Sequence, residues 1–285
     1  MRPNKQQGFT LVEMIIVIVI SGILLSVVSV FIAQPIQGFI DLSRRATLVY
    51  SAENALRRMQ RDIRRALPNS VRVSGNALEL ISTVEGARYR ASPPPGDPDR
   101  RLQFTLADTD FDVLGNLTNF GSPSGLRVAI YNIGALDAMG VPVAGSNAYA
   151  GPDGLGRNVI TPAGTVVNIT QNGDEDHIEI AGGWQFTHKS PSRRLYLVDT
   201  AVSYVCNGGQ LIRYTNYDFT NAVQPNPPAG ATARLMADNV AACSFSYAPG
   251  TQQRSGVTTL DLTISDAATG EQIRLLHQVH VDNAP

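Results

Sequence analysis

The stretch KQQGFTLVEMIIVIVI, residues 5–20, sets one carboxylate, Glu13, four residues past Phe9 and directly before an apolar run. No charged residue lies between Glu13 and Asp41, and residues 14–33 give 20 largely apolar positions. At about 1.5 Å of helical rise per residue, such a run crosses a bilayer core of roughly 30 Å. The reading is a membrane span over residues 9–34. A carboxylate inside a membrane is costly and marks a function by default. Arg2 and Lys5 precede the span, which places the short N-terminus in the cytoplasm and everything beyond residue 41 outside it. Arg44 and Arg45 oppose that orientation, but long polypeptides translocate largely regardless of charge. A cleaved secretory signal has a shorter apolar region and an A-x-A-like site. Phe31-Ile32-Ala33-Gln34-Pro35 offers none, so a cleavage point would have to lie before the apolar run.

Composition adds an asymmetry. With 43% hydrophobic and 16% charged residues the chain reads as folded. Residues 1–67 carry nine Lys/Arg against four Asp/Glu, whereas residues 68–285 carry 14 against 20.

Residues 9–67 read as one long helix with Pro35 as its kink, because proline removes an internal hydrogen bond and clashes with the preceding turn. In its second half Val49, Ala52, Leu56, Met59, Ile63 and Leu67 recur at steps of three or four, a stripe for a soluble domain to cover. The other face carries Arg57, Arg58, Arg61, Arg64 and Arg65, and Pro68-Asn69 ends the helix. A basic stripe can bind phosphates, but the remainder is acidic and no aromatic side chain interleaves the arginines. Nucleic acid is not the expected partner; a solvated face, or one paired with acidic groups on neighbouring subunits, is the plainer reading.

Beyond residue 70, short alternating segments predict an antiparallel β-rich head of one large domain with insertions. Residues 71–73 and 77–81 flank Ser74-Gly75-Asn76 as a first hairpin. Residues 178–180, 195–198 and 202–206 are further strands, the last returning through Asn207-Gly208-Gly209 into residues 210–214. Leu260, Leu262 and Ile264 alternate with polar residues, and Ile273, Leu275, Val279 and Val281 resume the alternation in a final hairpin whose apolar face suits the helix stripe. Stretches 91–99, 140–158 and 224–231 are too rich in Pro and Gly for regular structure. The fold class is therefore α+β.

Few residues suggest chemistry. Cys206 and Cys243, the only cysteines, read as one disulfide, with two free thiols or a metal pair as alternatives. Asn172-Gly173-Asp174-Glu175-Asp176-His177 offers oxygen donors for Ca²⁺, chiefly Asp174 and Asp176, yet lacks EF-hand spacing, and an acidic hairpin turn explains it as well. His188, His277 and His280 form no metal pattern; the last two face opposite sides of a strand. No nucleophile elbow, P-loop or zincin motif is present, so neither enzyme activity nor a cofactor is expected. Trp184, Phe186, Tyr196, Tyr204, Tyr214, Tyr217 and Phe219 suit a binding face for a partner subunit or glycan, and core packing explains most of them equally well.

The string from Lys5 to Glu13 resembles the class III signal of type IV pilins and type II secretion pseudopilins, closely over residues 1–67 and in general plan beyond. The resemblance implies a leader, residues 1–8, cut after Gly8 by an aspartyl prepilin peptidase that then N-methylates Phe9. It implies that Glu13 pairs with the Phe9 amine of a neighbouring subunit in a filament of bundled helices. The implied fold is pilin-like, with residues 9–34 in the membrane, 35–67 amphipathic and 68–285 an extracytoplasmic head. The implied partners are other pilin or pseudopilin subunits, the peptidase and the inner-membrane assembly platform, and the implied location is the bacterial inner membrane and then the pilus. Within the family the layout is similar to larger minor pilins, most of all the biogenesis type of the mannose-sensitive haemagglutinin pilus, on the arginine-rich helix and the closing LLHQVHVDNAP. One departure is Pro35, since major pilins kink nearer the position of Val30. A minor pseudopilin is the nearest alternative, and a signal-anchored extracytoplasmic enzyme or binding protein the alternative from another class.

Overall fold

The computed structural model describes residues 8–94, 96–97, 100–118, 125–250, 255–267, 269–281, 283 and 285. A helix, α1 (Leu11–Arg64), precedes β1 (Arg72–Ser74), β2 (Ala77–Tyr89), β3 (Asp108–Leu114), β4 (Arg127–Ala129), β5 (Val167–Asn172) and β6 (Glu175–Trp184). Then follow β7 (Arg194–Asn207), β8 (Gln210–Thr215), β9 (Thr232–Ala237), β10 (Val240–Ala248), β11 (Gly256–Ser265) and β12 (Gln272–Val281). The chain divides into two compact units, residues 1–50 and 51–285. In the first unit α1 continues through Pro35 without interruption.

In the second unit the last turns of α1 bury Ala52, Ala55, Leu56, Met59 and Ile63. The expected stripe is there with Ala55 added and Val49 removed, the latter being 37% exposed. The helix ends at Arg64 rather than at residue 67, because strand β2 takes the backbone groups that another turn would need. The Leu67 amide donates to the Ile81 carbonyl at 2.8 Å and the Thr83 amide to the Arg65 carbonyl at 2.9 Å. Leu67 stays fully buried outside the helix. Polar contacts pin the same turns. Asp62 accepts from the Tyr204 hydroxyl and from Arg213 Nε, both at 2.8 Å, and Arg58 Nε lies 3.3 Å from it. Gln60 Nε2 meets His277 Nδ1 at 2.6 Å.

The strands form two antiparallel sheets. The larger runs β5-β6-β3-β2-β7-β8-β9, with β1 on β2 and β4 on β7. The smaller is β10-β11-β12. Residues 195–198 and 202–206, expected as two strands, are one strand β7 interrupted by an irregularity. Ile81 pairs with Ala201 while Thr83 pairs with Val198, so the register shifts across Asp199-Thr200. Polar residues at such a bulge look like a break in a sequence. The β7–β8 hairpin turns on Gly208 and Gly209, at φ +58° and +77°. Two positive φ values in a two-residue turn are what glycine tolerates. The first hairpin is shifted by one residue from expectation, with Ser74 opposite Ala77. In the last hairpin Leu260, Leu262, Ile264, Ile273, Val279 and Val281 are all buried. His277 stands on the inner side with them, and His280 is exposed.

Cys206 and Cys243 are bonded, tying β7 of the larger sheet to β10 of the smaller across 37 residues of sequence, with Cα atoms 6.3 Å apart. On β2, opposite Arg72 of β1, Glu79 is fully buried. It accepts from Arg72 Nε at 2.5 Å and from the Tyr217 hydroxyl at 2.7 Å. The Arg72 guanidinium lies 3.6 Å from the centre of the Tyr149 ring, a cation–π contact. Burial pushes the Glu79 carboxyl above its usual range, against the pull of Arg72 and Tyr217.

Replacing both cysteines by serine lowers head stability by about 2–4 kcal/mol, measured by urea unfolding of the detergent-solubilised chain through the fluorescence of its single tryptophan, Trp184. The folded Glu79 pKa is raised, so its contribution to stability is fully present below the unfolded value of about 4.3 and fades as the pH climbs through the folded value. Glu79→Gln removes this contribution. The difference in urea midpoint, variant minus wild type, should therefore shift in favour of the variant as the pH rises across that window.

Candidate functional site

The sequence singles out Gly8, Phe9 and Glu13, and the structure places them at the start of α1. Residues 8–10 are non-helical, and the helix begins at Leu11. Space around Gly8 is open, with no heavy atom within 4 Å of where a Cβ would stand. Phe9 is 82% exposed. The Gly8–Phe9 peptide bond therefore sits in accessible, non-helical backbone immediately ahead of a helix.

Thr10 explains where the helix starts. Its side-chain oxygen accepts the Glu13 amide at 3.3 Å, and its carbonyl accepts the Met14 amide at 3.2 Å. Thr10 is thus the N-cap and Glu13 the third helical residue, the S/T-x-x-E pattern of a capping box. The pattern is legible in Thr10-Leu11-Val12-Glu13, a signal separate from the apolar run that follows it. Glu13 also stands in the first turn, where the helix dipole favours a negative charge. Glu13 thus serves the local helix start through its backbone amide and through its charge at the positive end of the helix dipole. Behind it, Leu11–Ser29 is long and apolar enough to cross a membrane, and none of it is buried within the chain.

Other sequence candidates do not converge on a site. The acidic cluster is split by the β5–β6 turn. Asp174 is exposed at its tip, Glu175 pairs with Arg90, and Asp176 is buried with its carboxylate accepting the Leu117 amide at 2.6 Å. Among the described residues no three His, Cys, Asp or Glu side chains group to hold a metal ion. Of the seven aromatics, Phe186, Tyr204 and Phe219 are buried in the head and the other four half-buried.

The structure does bring together one pair that sequence spacing hides, Ser146 Oγ and His188 Nε2 at 2.9 Å. Burial holds the His188 imidazole below its usual range. The nearby amides are already committed, Gly145 to the Gly151 carbonyl, Ser146 to Val143 and Ala148 to the Asn132 side chain. Those bonds close the loop, and the Ser146–His188 contact clasps residues 143–151 to the segment before β7.

The prokaryotic N-terminal methylation motif matches residues 3–29 of the chain. No curated protein and no solved structure matches it. The motif supports a type IV pilin-like protein, a structural class whose members are processed by prepilin peptidase and assemble with other pilins. Among the described residues one helix is long and apolar enough to span a bilayer, which is consistent with membrane anchoring.

Thr10→Ala removes the cap at a cost of about 1 kcal/mol. Backbone amides of the first turn of α1 should then exchange with deuterium roughly fivefold faster in detergent micelles, with exchange in the head unchanged.

Proposed function

We propose that this chain is a minor type IV pilin-like subunit, non-catalytic, that takes part in the assembly or initiation of a pilus filament. It enters the inner membrane with its N-terminus in the cytoplasm, is cut after Gly8 and is N-methylated on Phe9. The observation that carries the reading is the arrangement at the start of α1. An exposed Gly8–Phe9 bond lies outside the helix, and Glu13 lies within its first turn at the head of a fully exposed apolar span.

The chemistry follows from the carboxylate. Cleavage creates an amine at Phe9, a positive charge beside the positive end of the helix dipole, which is unfavourable on its own. A neighbouring subunit's Glu13 supplies the opposite charge. Two charges desolvated together lose much of the penalty that either keeps alone. The pairing sets the axial register of adjacent helices, and the partner of Glu13 does not exist until Gly8 has been cut. A bend at Pro35 belongs to the same reading, lowered relative to major pilins. The large β-rich head suits a subunit present in few copies, by analogy of fold. The finer assignment, to the biogenesis of the mannose-sensitive haemagglutinin pilus, rests on the arginine-rich helix and the closing residues alone.

Mass spectrometry of the mature protein should find an N-methylated Phe9; an intact Met1 overturns the reading. Glu13→Val should remain in the membrane at normal level yet be absent from sheared filaments, and normal incorporation overturns the register role of Glu13.

A further inference from the structure

We infer that the arginine face at the end of α1, Arg57, Arg61 and Arg64 with Arg65 just past the helix, docks against a carboxylate-bearing face of a neighbouring filament subunit. The inference rests on the filament reading above and names the chemistry of the partner.

The four arginines are all exposed and stand on the side of the helix opposite the buried Ala52, Ala55, Leu56, Met59 and Ile63. Arg57 and Arg61, Arg61 and Arg64, and Arg61 and Arg65 are four, three and four residues apart, the spacings at which side chains on one side of a helix are neighbours, roughly 5–6 Å apart at Cβ, and Arg65, the first residue past α1, keeps its amide on the Arg61 carbonyl at 3.2 Å. Only the first has a counter-charge on the helix, Glu53, 2.8 Å from Arg57 Nε. The fifth arginine of the sequence run, Arg58, leaves this face, half-buried and turned to Asp62. Among the described residues, no carboxylate lies within ion-pair distance of Arg61, Arg64 or Arg65. The helix dipole accounts for a cation or two in the last turn, where Arg61 and Arg64 sit. It does not account for Arg61 having like charges three and four residues away, which repel across a helix surface. That repulsion is relieved by a partner, and the residue type indicates which. All four are arginine, whose planar fork pairs bidentately with carboxylates. Phosphates would satisfy the same fork, but no aromatic side chain stands among the arginines to stack a base, and the rest of the chain is acidic, 20 against 14 beyond residue 67. A head of that charge is itself an example of the acidic protein surface the stripe would meet.

The test uses the full chain in its native membrane, with a photo-crosslinking residue in place of Asn54, which is exposed on the same side. Illumination should join this position to a pilin-type subunit at a segment bearing Asp or Glu. Arg61→Glu/Arg64→Glu/Arg65→Glu should lower the yield at least about tenfold, the triple lysine variant should keep most of it, and reversing the captured carboxylates to lysine should restore it in the Glu background. Formation of the Cys206–Cys243 bond on a non-reducing gel reports folding. Should the triple reversal lose that bond, Arg61→Glu alone and raised ionic strength test the same dependence. Capture of only lipid or nucleic acid, capture at a segment without carboxylates, or a yield indifferent to charge reversal overturns the inference. An unprocessed N-terminus overturns the filament reading itself, whereas a methylated Phe9 with charge-indifferent capture overturns the docking surface alone.

Discussion

The last turns of α1 serve two sheets at once, and the arrangement of the head depends on that. One side of residues 52–63 supplies apolar side chains to the core. On its flank Asp62 holds Tyr204 of β7 and Arg213 of β8, while Gln60 holds His277 of β12. A carboxylate largely removed from water is tolerable only with its hydrogen-bonding capacity filled, and Asp62 has a hydroxyl and two guanidinium groups around it. Truncating it would leave Arg213 buried without a counter-charge, so the helix position and the strand pair are mutually specified. The disulfide joins the same two sheets covalently, from β7 to β10.

At the other end of α1 the controlling quantity is again the placement of one carboxylate. Glu13 has a local role in starting the helix and a proposed one in joining subunits. The two are compatible because capping uses its backbone amide, donated to Thr10, and leaves its side chain for an external amine.

Much of this was legible from residue patterns, and the failures are instructive. The final hairpin was readable because one face of β11 and β12 is buried and the other is not, so apolar residues alternate. β2 was readable only over residues 77–81; it continues to Tyr89 through residues that are half-buried or exposed with no regular alternation, Tyr89 alone being buried. β7 was split in two by Asp199-Thr200, where a register shift and not a loop accounts for the polar pair. β3 was passed over because Asp108, Thr109, Asp110 and Asp112 interrupt it. Asp112 is buried all the same: burial alone would raise its carboxyl, but hydrogen bonds from Arg100 and His177 hold it below its usual range. Such ion pairs join residues far apart in sequence, and spacing carries no record of them.

The sequence by itself determined the apolar helix, its basic flank, the Gly8-Phe9-Glu13 signal, the turn glycines and the alternating C-terminal strands, because each depends on neighbours within a few residues. Only the tertiary structure decided that α1 stops at Arg64, that Arg58 leaves the basic face for Asp62, that Ser146 meets His188, and that Cys206 bonds to Cys243. Those outcomes turn on which distant backbone and side-chain groups arrive to compete for the same hydrogen bonds and charges, and that competition exists only once the sheets have closed on the helix.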